Sequence, residues 1–330
     1  MPVSSELIDL ASERLGGAAV AANDEFFASK DNLVKPEKPV WREGEYTDRG
    51  KWMDGWETRR RRDPGYDWCV VRLGVAGIVR ELVIDTTHFK GNAPESCSVE
   101  TCDSPAPDPG AATVWSELLP RTPVRPDTEN VFAISGRGRS THLRLSIHPD
   151  GGVARLRARG EVLPDWDSIA RRGGEVDLAA VENGGVVVSA SDEFFGSRQN
   201  LVLPGRGRGM HDGWETRRRR GAGHDWAVVR LGRPGSIHRV EIDTLHFKGN
   251  APGAASLEVC RAPEADPAEL AARHDLWKPL LAESKLAPNA LHRFEAELAR
   301  VDLDATHARL NIFPDGGVSR LRLFGVVRRA

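Results

Sequence analysis

The sequence repeats itself. DGWETRRRR, Asp54 to Arg62, recurs unchanged from Asp212 to Arg220, and IDTTHFKGNAP from Ile84 recurs as IDTLHFKGNAP from Ile242, each displaced by 212 − 54 = 242 − 84 = 158 residues. Upstream, AANDEFFASKDNLV, ending at Val34, returns as SASDEFFGSRQNLV, ending at Val202, at an offset of 202 − 34 = 168. Ile8-Asp9-Leu10-Ala11 returns at the same spacing as Val176-Asp177-Leu178-Ala179. Downstream, HLRLSIHPDGGVARLRARGEV from His142 matches HARLNIFPDGGVSRLRLFGVV from His307. Each copy is long enough to be a domain, which divides the chain into a first repeat over 1–165, a linker over 166–174 and a second repeat over 175–330. The offset drops by 168 − 158 = 10 residues within Lys35–Trp52, whose counterpart is only Leu203–Gly209 followed by Met210 and His211. The first repeat therefore carries an extra loop.

Periodicity gives the fold class. Short, β-branched, alternating runs such as DWCVVRLG and DWAVVRLG, VRELVID and HRVEID, SCSVETC and ASLEVC are separated by Gly, Pro and Asp turns, the pattern of a sandwich or barrel. The main helical candidate is DPAELAARHDLW from Asp266, with Asp at the N-cap and Pro at the first helical position. It decorates a connection between strands. A DG-x-x-T loop, a tryptophan strand ending in LG and a closing RLRxFG strand resemble galactose-binding-like (discoidin-type) jelly rolls, so the expected architecture is all-β, two tandem jelly-roll β-sandwiches. That fold hosts binding modules and enzymes alike and does not choose a function.

Composition narrows the partners. With 40% hydrophobic residues, 28% charged residues and a formal net charge of −2, no global field favours nucleic acid or an anionic membrane, and a small molecule is the expected partner. MPVSSELIDLASERL lacks a basic stretch followed by an apolar one, and no 18 apolar residues run together, so the chain reads as cytoplasmic. The four cysteines, Cys69, Cys97, Cys102 and Cys260, form no CxxC pair and suggest neither a disulfide framework nor an ordinary zinc site. Cys69 and Cys97 align with Ala227 and Ala255, which argues against a nucleophile used twice. A P-loop, a dinucleotide fingerprint, HExxH and GxSxG are all missing from the sequence.

Three duplicated strings could carry chemistry. If DGWETRRRR enters a strand, Arg59 and Arg61 share one face, and one arginine per copy could clamp a carboxylate with its planar fork; alternatively the aspartates close turns, Thr58 and Thr216 bond the backbone and the arginines form salt bridges. HFKGNAP follows an apolar strand and should leave the sheet at its end, where sites usually sit. It offers a group that titrates near neutrality, a fixed positive charge and an amide able to pair with a urea group; alternatively its glycine and proline make a turn and His88 is a packed neutral ring. PDGG reads most simply as a hairpin turn, with Arg155, Arg320 and His148 within reach of a pocket mouth. His142 and His307, at strand starts, read as structural. Trp41, Tyr46 and Trp52 of the extra loop could cover a ligand or seal an apolar edge.

Taken in order and twice over, DEFF-x-S-x-x-NL, DGWETRRRR, HFKGNAP and PDGG-V-x-RLR resemble the allantoicase family over almost the full length. The resemblance implies hydrolysis of allantoate to (S)-ureidoglycolate and urea, in the purine and allantoin breakdown that recovers nitrogen. Such chemistry needs a general acid or base, a carboxylate anchor and donors to the ureido oxygens. On that reading Arg59 or Arg61 anchors the carboxylate, Lys90 and Asn92 hold the ureido oxygens, and His88 or Glu57 moves the proton. Arg217, Arg219, Lys248, Asn250, His246 and Glu215 are the second-repeat equivalents. No cofactor is demanded by the sequence, although His, Asp and Glu in these loops leave a divalent metal such as manganese open; a homo-oligomer is likewise left open. Two rival readings are a non-catalytic carbohydrate-binding tandem and a hydrolase for a neighbouring ureide such as ureidoglycolate.

Overall fold

In each repeat the longest strand-forming run folds as a single 19-residue strand that organises all the others. The computed structural model describes residues 6–327, so the first five residues of the amino-terminal stretch lie outside the described residues. The first repeat contains β1 (Ile8–Asp9), β2 (Ala18–Ala22), β3 (Tyr46–Thr47), β4 (Gly50–Lys51), β5 (Trp56–Glu57), β6 (Asp67–Asp85), β7 (Ser96–Cys102), β8 (Ser116–Pro123), β9 (Glu129–Ala133), β10 (Ser140–His148), β11 (Gly152–Val153) and β12 (Arg155–Val162). The amino-terminal half of β6 pairs with β2 and β10, and its carboxy-terminal half with β12 and β9, all antiparallel. The sheet order is β1-β12-β6-β10-β7-β8, with β2 and β9 joining β6 off that path. Inward-facing Cys69, Val71, Leu82, Leu143, Leu145, Ile147 and Leu156 are fully buried, as strand alternation requires.

The second repeat rebuilds this plan with β13 (Val176–Asp177), β14 (Val186–Ala190), β15 (Trp214–Glu215), β16 (Asp225–Asp243), β17 (Ala254–Cys260), β18 (Lys278–Lys285), β19 (Leu291–Phe294), β20 (Ala305–Phe313), β21 (Gly317–Val318) and β22 (Arg320–Val327). Its order, β13-β22-β16-β20-β17-β18, matches the first. The chain is thus two tandem jelly-roll β-sandwiches built by an internal repeat. Contacts divide it into two compact units, Leu7–Leu163 and Pro164 onward together with Glu6. The second opens with α1 (Trp166–Arg172), whose N-cap Asp165 accepts from Ser168 N at 2.9 Å. The expected helix is α2 (Pro267–Ala272), capped by Asp266 with Pro267 in the first turn. Among the described residues no helix is long and apolar enough to cross a membrane.

Two motifs fold differently from their simplest sequence readings. The strand in DGWETRRRR ends at Glu57, so the arginines do not share a strand face. PDGG is not a hairpin turn: β10 and β12 both pair with β6, and PDGG instead delivers β11 to β5, placing Gly152 opposite Glu57 and Val153 opposite Trp56. Neither Asp54 nor Arg155 is at a pocket mouth. Arg155, with its side chain 1% exposed, bonds Asp54 Oδ2 at 2.8 Å and Asp54 O at 3.0 Å. Arg320 does the same for Asp212, at 3.1 Å and 2.6 Å. A buried ion pair contributes little when intact, but removing one partner strands the other charge away from water.

Arg155→Ala should therefore destabilise the first repeat by about 3–5 kcal/mol, measured by denaturant unfolding. Arg59→Ala, which breaks a solvent-exposed pair with Asp24, should leave the midpoint close to that of the parent protein.

Candidate functional site

The loop HFKGN is seated by its phenylalanine. Phe89 is fully buried with Met53 and Ala154, and two glycines from the other duplicated strings make room for it. A methyl group on Gly152 would lie 2.0 Å from the Phe89 ring, and one on Gly55 2.7 Å from it. Gly152 N also donates to Asn92 O at 2.8 Å. In the second repeat Phe247 is fully buried, with Gly317 and Gly213 in the same relation to it at 2.0 Å and 2.6 Å. DGW, HFKGN and PDGG are therefore three walls of one loop cluster at the end of the sandwich. DEFF joins them through Glu57, whose backbone exchanges hydrogen bonds with Ala28 and accepts from Phe27 N at 3.2 Å.

His88 and His246 sit in the left-handed backbone region, with φ of 72° and 73°. For histidine this conformation costs on the order of 1–3 kcal/mol and tends to cluster at functional sites. It is held from the opposite loop: His88 N donates to Asp127 Oδ1 at 2.8 Å and His246 N to Asn289 Oδ1 at 2.9 Å. The imidazole is also fixed. His88 Nε2 lies 3.3 Å from Pro39 O, and His246 Nε2 lies 2.8 Å from Gly207 O. A carbonyl oxygen only accepts, so Nε2 must carry a proton and the neutral ring keeps its lone pair on Nδ1.

In the first repeat these loops enclose a cavity of about 360 Å³. It is lined by Phe27, Met53, Glu57, His88, Lys90, Gly91 and Asn92, together with Trp41 and Lys51 from the longer first-repeat connection. Asn92 Nδ2 donates to Glu57 Oε1 at 2.7 Å. Burial raises the Glu57 carboxyl above its usual 4.5, opposed by the Asn92 hydrogen bond. Lys90 extends 3.7 Å from Asp127 Oδ2 and is largely exposed. The second repeat repeats the core of this arrangement, with Asn250 Nδ2 donating to Glu215 Oε1 at 2.5 Å. A half-buried carboxylate beside an amide, an oriented imidazole and an ammonium can transfer a proton next to a bound urea-like group.

The expected arginine clamp is not in the cavity wall. Arg59 is held by Asp24 at 2.8 Å and Arg61 by Asp67 at 2.7 Å. Arg217 pairs with Asp192 at 2.8 Å and Arg219 with Asp225, while Arg61 N and Arg219 N anchor Asp150 and Asp315 of the PDGG strings. These side chains brace the loops. Of the extra-loop aromatics only Trp41 lines the cavity. Lys51, Phe27 and Asp127 escaped the reading of the sequence; Lys51 lies in the unduplicated stretch, and Asp127 departs from its counterpart Asn289. Among the described residues no three His, Cys, Asp or Glu side chains converge as a metal site would require, so these donors do not fit the manganese ion considered above. All four cysteines are unpaired and buried, and burial pushes the Cys97 thiol up to about 12.

Comparison with known proteins is consistent over the whole chain. The allantoicase repeat family matches residues 8–163 and again 176–328. Probable allantoicase 1 of Burkholderia mallei is 48% identical over 320 residues, covering 97% of this chain and 94% of that protein. The probable allantoicase of Photobacterium profundum is 48% identical over 321 residues, covering 97% and 96%. A crystal structure of allantoicase from Saccharomyces cerevisiae superposes with a TM-score of 0.82 at 37% identity, covering 98% of this chain and 95% of the other.

Because Asn92 stabilises the charged form of Glu57, Asn92→Leu, which keeps bulk and removes the donor, should raise the Glu57 pKa further. Carboxyl carbon chemical shifts followed through a pH titration would show the change; an unshifted or lowered midpoint would contradict the assigned hydrogen bond.

Proposed function

The chain belongs to the allantoicase family, and from that premise we propose that the first-repeat cavity is where it hydrolyses allantoate to ureidoglycolate and urea. The observation that carries this reading is the convergence of Glu57, His88, Lys90 and Asn92 on one cavity. Allantoate bears a carboxylate and two ureido groups on a single carbon. Releasing urea breaks one carbon–nitrogen bond and forms one carbon–oxygen bond with water. One water proton ends on the departing nitrogen and the other stays on the new hydroxyl. The lone pair of the remaining ureido nitrogen assists departure.

Glu57 is the proton carrier in this scheme. Its raised proton affinity suits a carboxylate that accepts the water proton and returns it to the departing nitrogen. Asn92 and Lys90 donate to the ureido oxygens, where negative charge grows as the bond breaks. His88, with its Nε2 proton committed to Pro39, orients the substrate through Nδ1 rather than shuttling the proton. No step passes through a metal ion. We also place the enzyme in the cytoplasm, which its four unpaired cysteines fit, with a small ureide rather than nucleic acid or membrane as its partner.

Purified protein given allantoate should release urea and ureidoglycolate in equal amounts; urea from ureidoglycolate but not from allantoate would instead favour the neighbouring-ureide reading. The working form of Glu57 is the carboxylate, and its pKa is raised, so kcat/KM should fall as pH drops through a midpoint above 4.5. Glu57→Gln should lower kcat by about 100-fold or more, the usual contribution of a general acid–base group.

A further inference from the structure

The two repeats share the proton-carrier core but not its cover, and the difference can be located to the residue. Backbone contacts fix the alignment: Val40 N donates to Asp54 Oδ2 and Arg208 N to Asp212 Oδ2, both at 2.9 Å, while Pro39 O and Gly207 O meet the two histidines. Trp41 therefore corresponds to Gly209 and Trp52 to Met210, and the ten extra residues are Arg42–Lys51. They form the β3–β4 hairpin, Tyr46 opposite Lys51 and Thr47 opposite Gly50. The hairpin is tied down: Trp52 N donates to Glu45 O at 3.0 Å, Arg42 lies 4.5 Å over the Trp52 ring, and Arg49 Nη1 donates to Phe26 O at 3.1 Å. At its base Lys51 Nζ stands 3.9 Å over the Trp41 ring, which in turn lies 5.7 Å from the His88 ring.

We infer that this hairpin makes the first repeat the one that turns over, with Lys51 anchoring the substrate carboxylate and Trp41 roofing the ureido groups, and that the second repeat is catalytically silent. The inference rests on the allantoate reading above. It supplies the carboxylate anchor that the arginines, spent on Asp24 and Asp67, do not. In the second repeat Gly209 replaces the roof, Asn289 replaces the carboxylate that faces Lys90, and Phe195, the counterpart of cavity-lining Phe27, is 61% exposed. The Glu215–Asn250 pair itself is part-buried, but with a glycine in place of the tryptophan no ring covers a ureide bound beside it, and each electrostatic contact to that ureide weakens next to bulk water.

The second repeat also provides a template for removing the lid, because it folds around the shorter connection. The test uses the full chain. Lys51→Met should raise KM for allantoate about 10–100-fold, the range for losing one charge-assisted hydrogen bond, with Lys51→Arg recovering most of it. Replacing Pro39–Lys51 by the Gly207–Gly209 segment should abolish turnover while the unfolding midpoint stays cooperative. Inserting the Arg42–Lys51 sequence after a Gly209→Trp substitution, in a Glu57→Gln background, should restore urea release. A Glu57→Gln protein that keeps about half of the parent rate, and loses it on adding Glu215→Gln, would overturn the division of labour while leaving the allantoate reading intact. A parent protein that releases no urea from allantoate would overturn the reading itself.

Discussion

The packing of Phe89, and of Phe247 in the second repeat, is the constraint on which the loop end of each sandwich depends. A ring this size, fully buried, can only be accommodated if the backbones above and below it carry no side chain, and Gly55 and Gly152 meet that condition to within the width of a methyl group. The consequence is a shared registration. Because the same ring touches DGW, PDGG and its own HFKGN loop, the distance from Glu57 to Asn92 is set by close packing, and close-packed contacts are stiff. The Asp54–Arg155 pair locks the same cluster from beneath, using both the carboxylate and the backbone carbonyl of Asp54. A site whose polar groups are positioned by a rigid apolar contact is preorganised before any ligand arrives.

That arrangement also explains why the charged residues that dominate the sequence are not the ones that line the cavity. Four consecutive arginines draw the eye, yet Arg59 and Arg61 are paired with Asp24 and Asp67 at short range and do not line the cavity. The carboxylate nearest them in the string, Glu57, is different in kind. It is half-buried, its one side-chain partner is an amide donor, and burial favours its protonated form. Charge density on the surface is cheap because water solvates it; a carboxylate in a partly dry cleft stores proton affinity, and that is the usable quantity.

How far the sequence could be read follows from the same physics. Strand alternation and the duplicated strings revealed the sandwiches, since both patterns are local, and the position of HFKGN at a strand end placed His88, Lys90 and Asn92 in a loop cluster. The N-cap and Pro267 revealed α2 for the same reason. What was illegible depended on contacts far apart in the chain. PDGG looks like a hairpin turn until β11 is seen to pair with β5, about a hundred residues upstream. Arg155 looks like a surface cation until its partner, 101 positions away, is known. The allocation of each arginine to an aspartate likewise has no local signature. Lys51 was overlooked because attention to duplicated residues discards whatever occurs once.

That last omission matters for how a duplicated domain acquires asymmetry. After duplication, both copies inherit a core that is under packing constraint, because any change at Phe89, Gly152 or Arg155 disrupts the fold before it alters chemistry. The connection between the DEFF and DGW strings is under no such constraint. Its ends are fixed by contacts to Asp54 and His88, or to Asp212 and His246, but the chain between those anchors runs at the surface, where insertions cost little closure entropy. A ten-residue hairpin can therefore appear or disappear in one copy without disturbing the cluster beneath it. Divergence between the repeats is thus channelled into the connection beside the loop cluster, while the Glu57–Asn92 and Glu215–Asn250 pairs stay common to both.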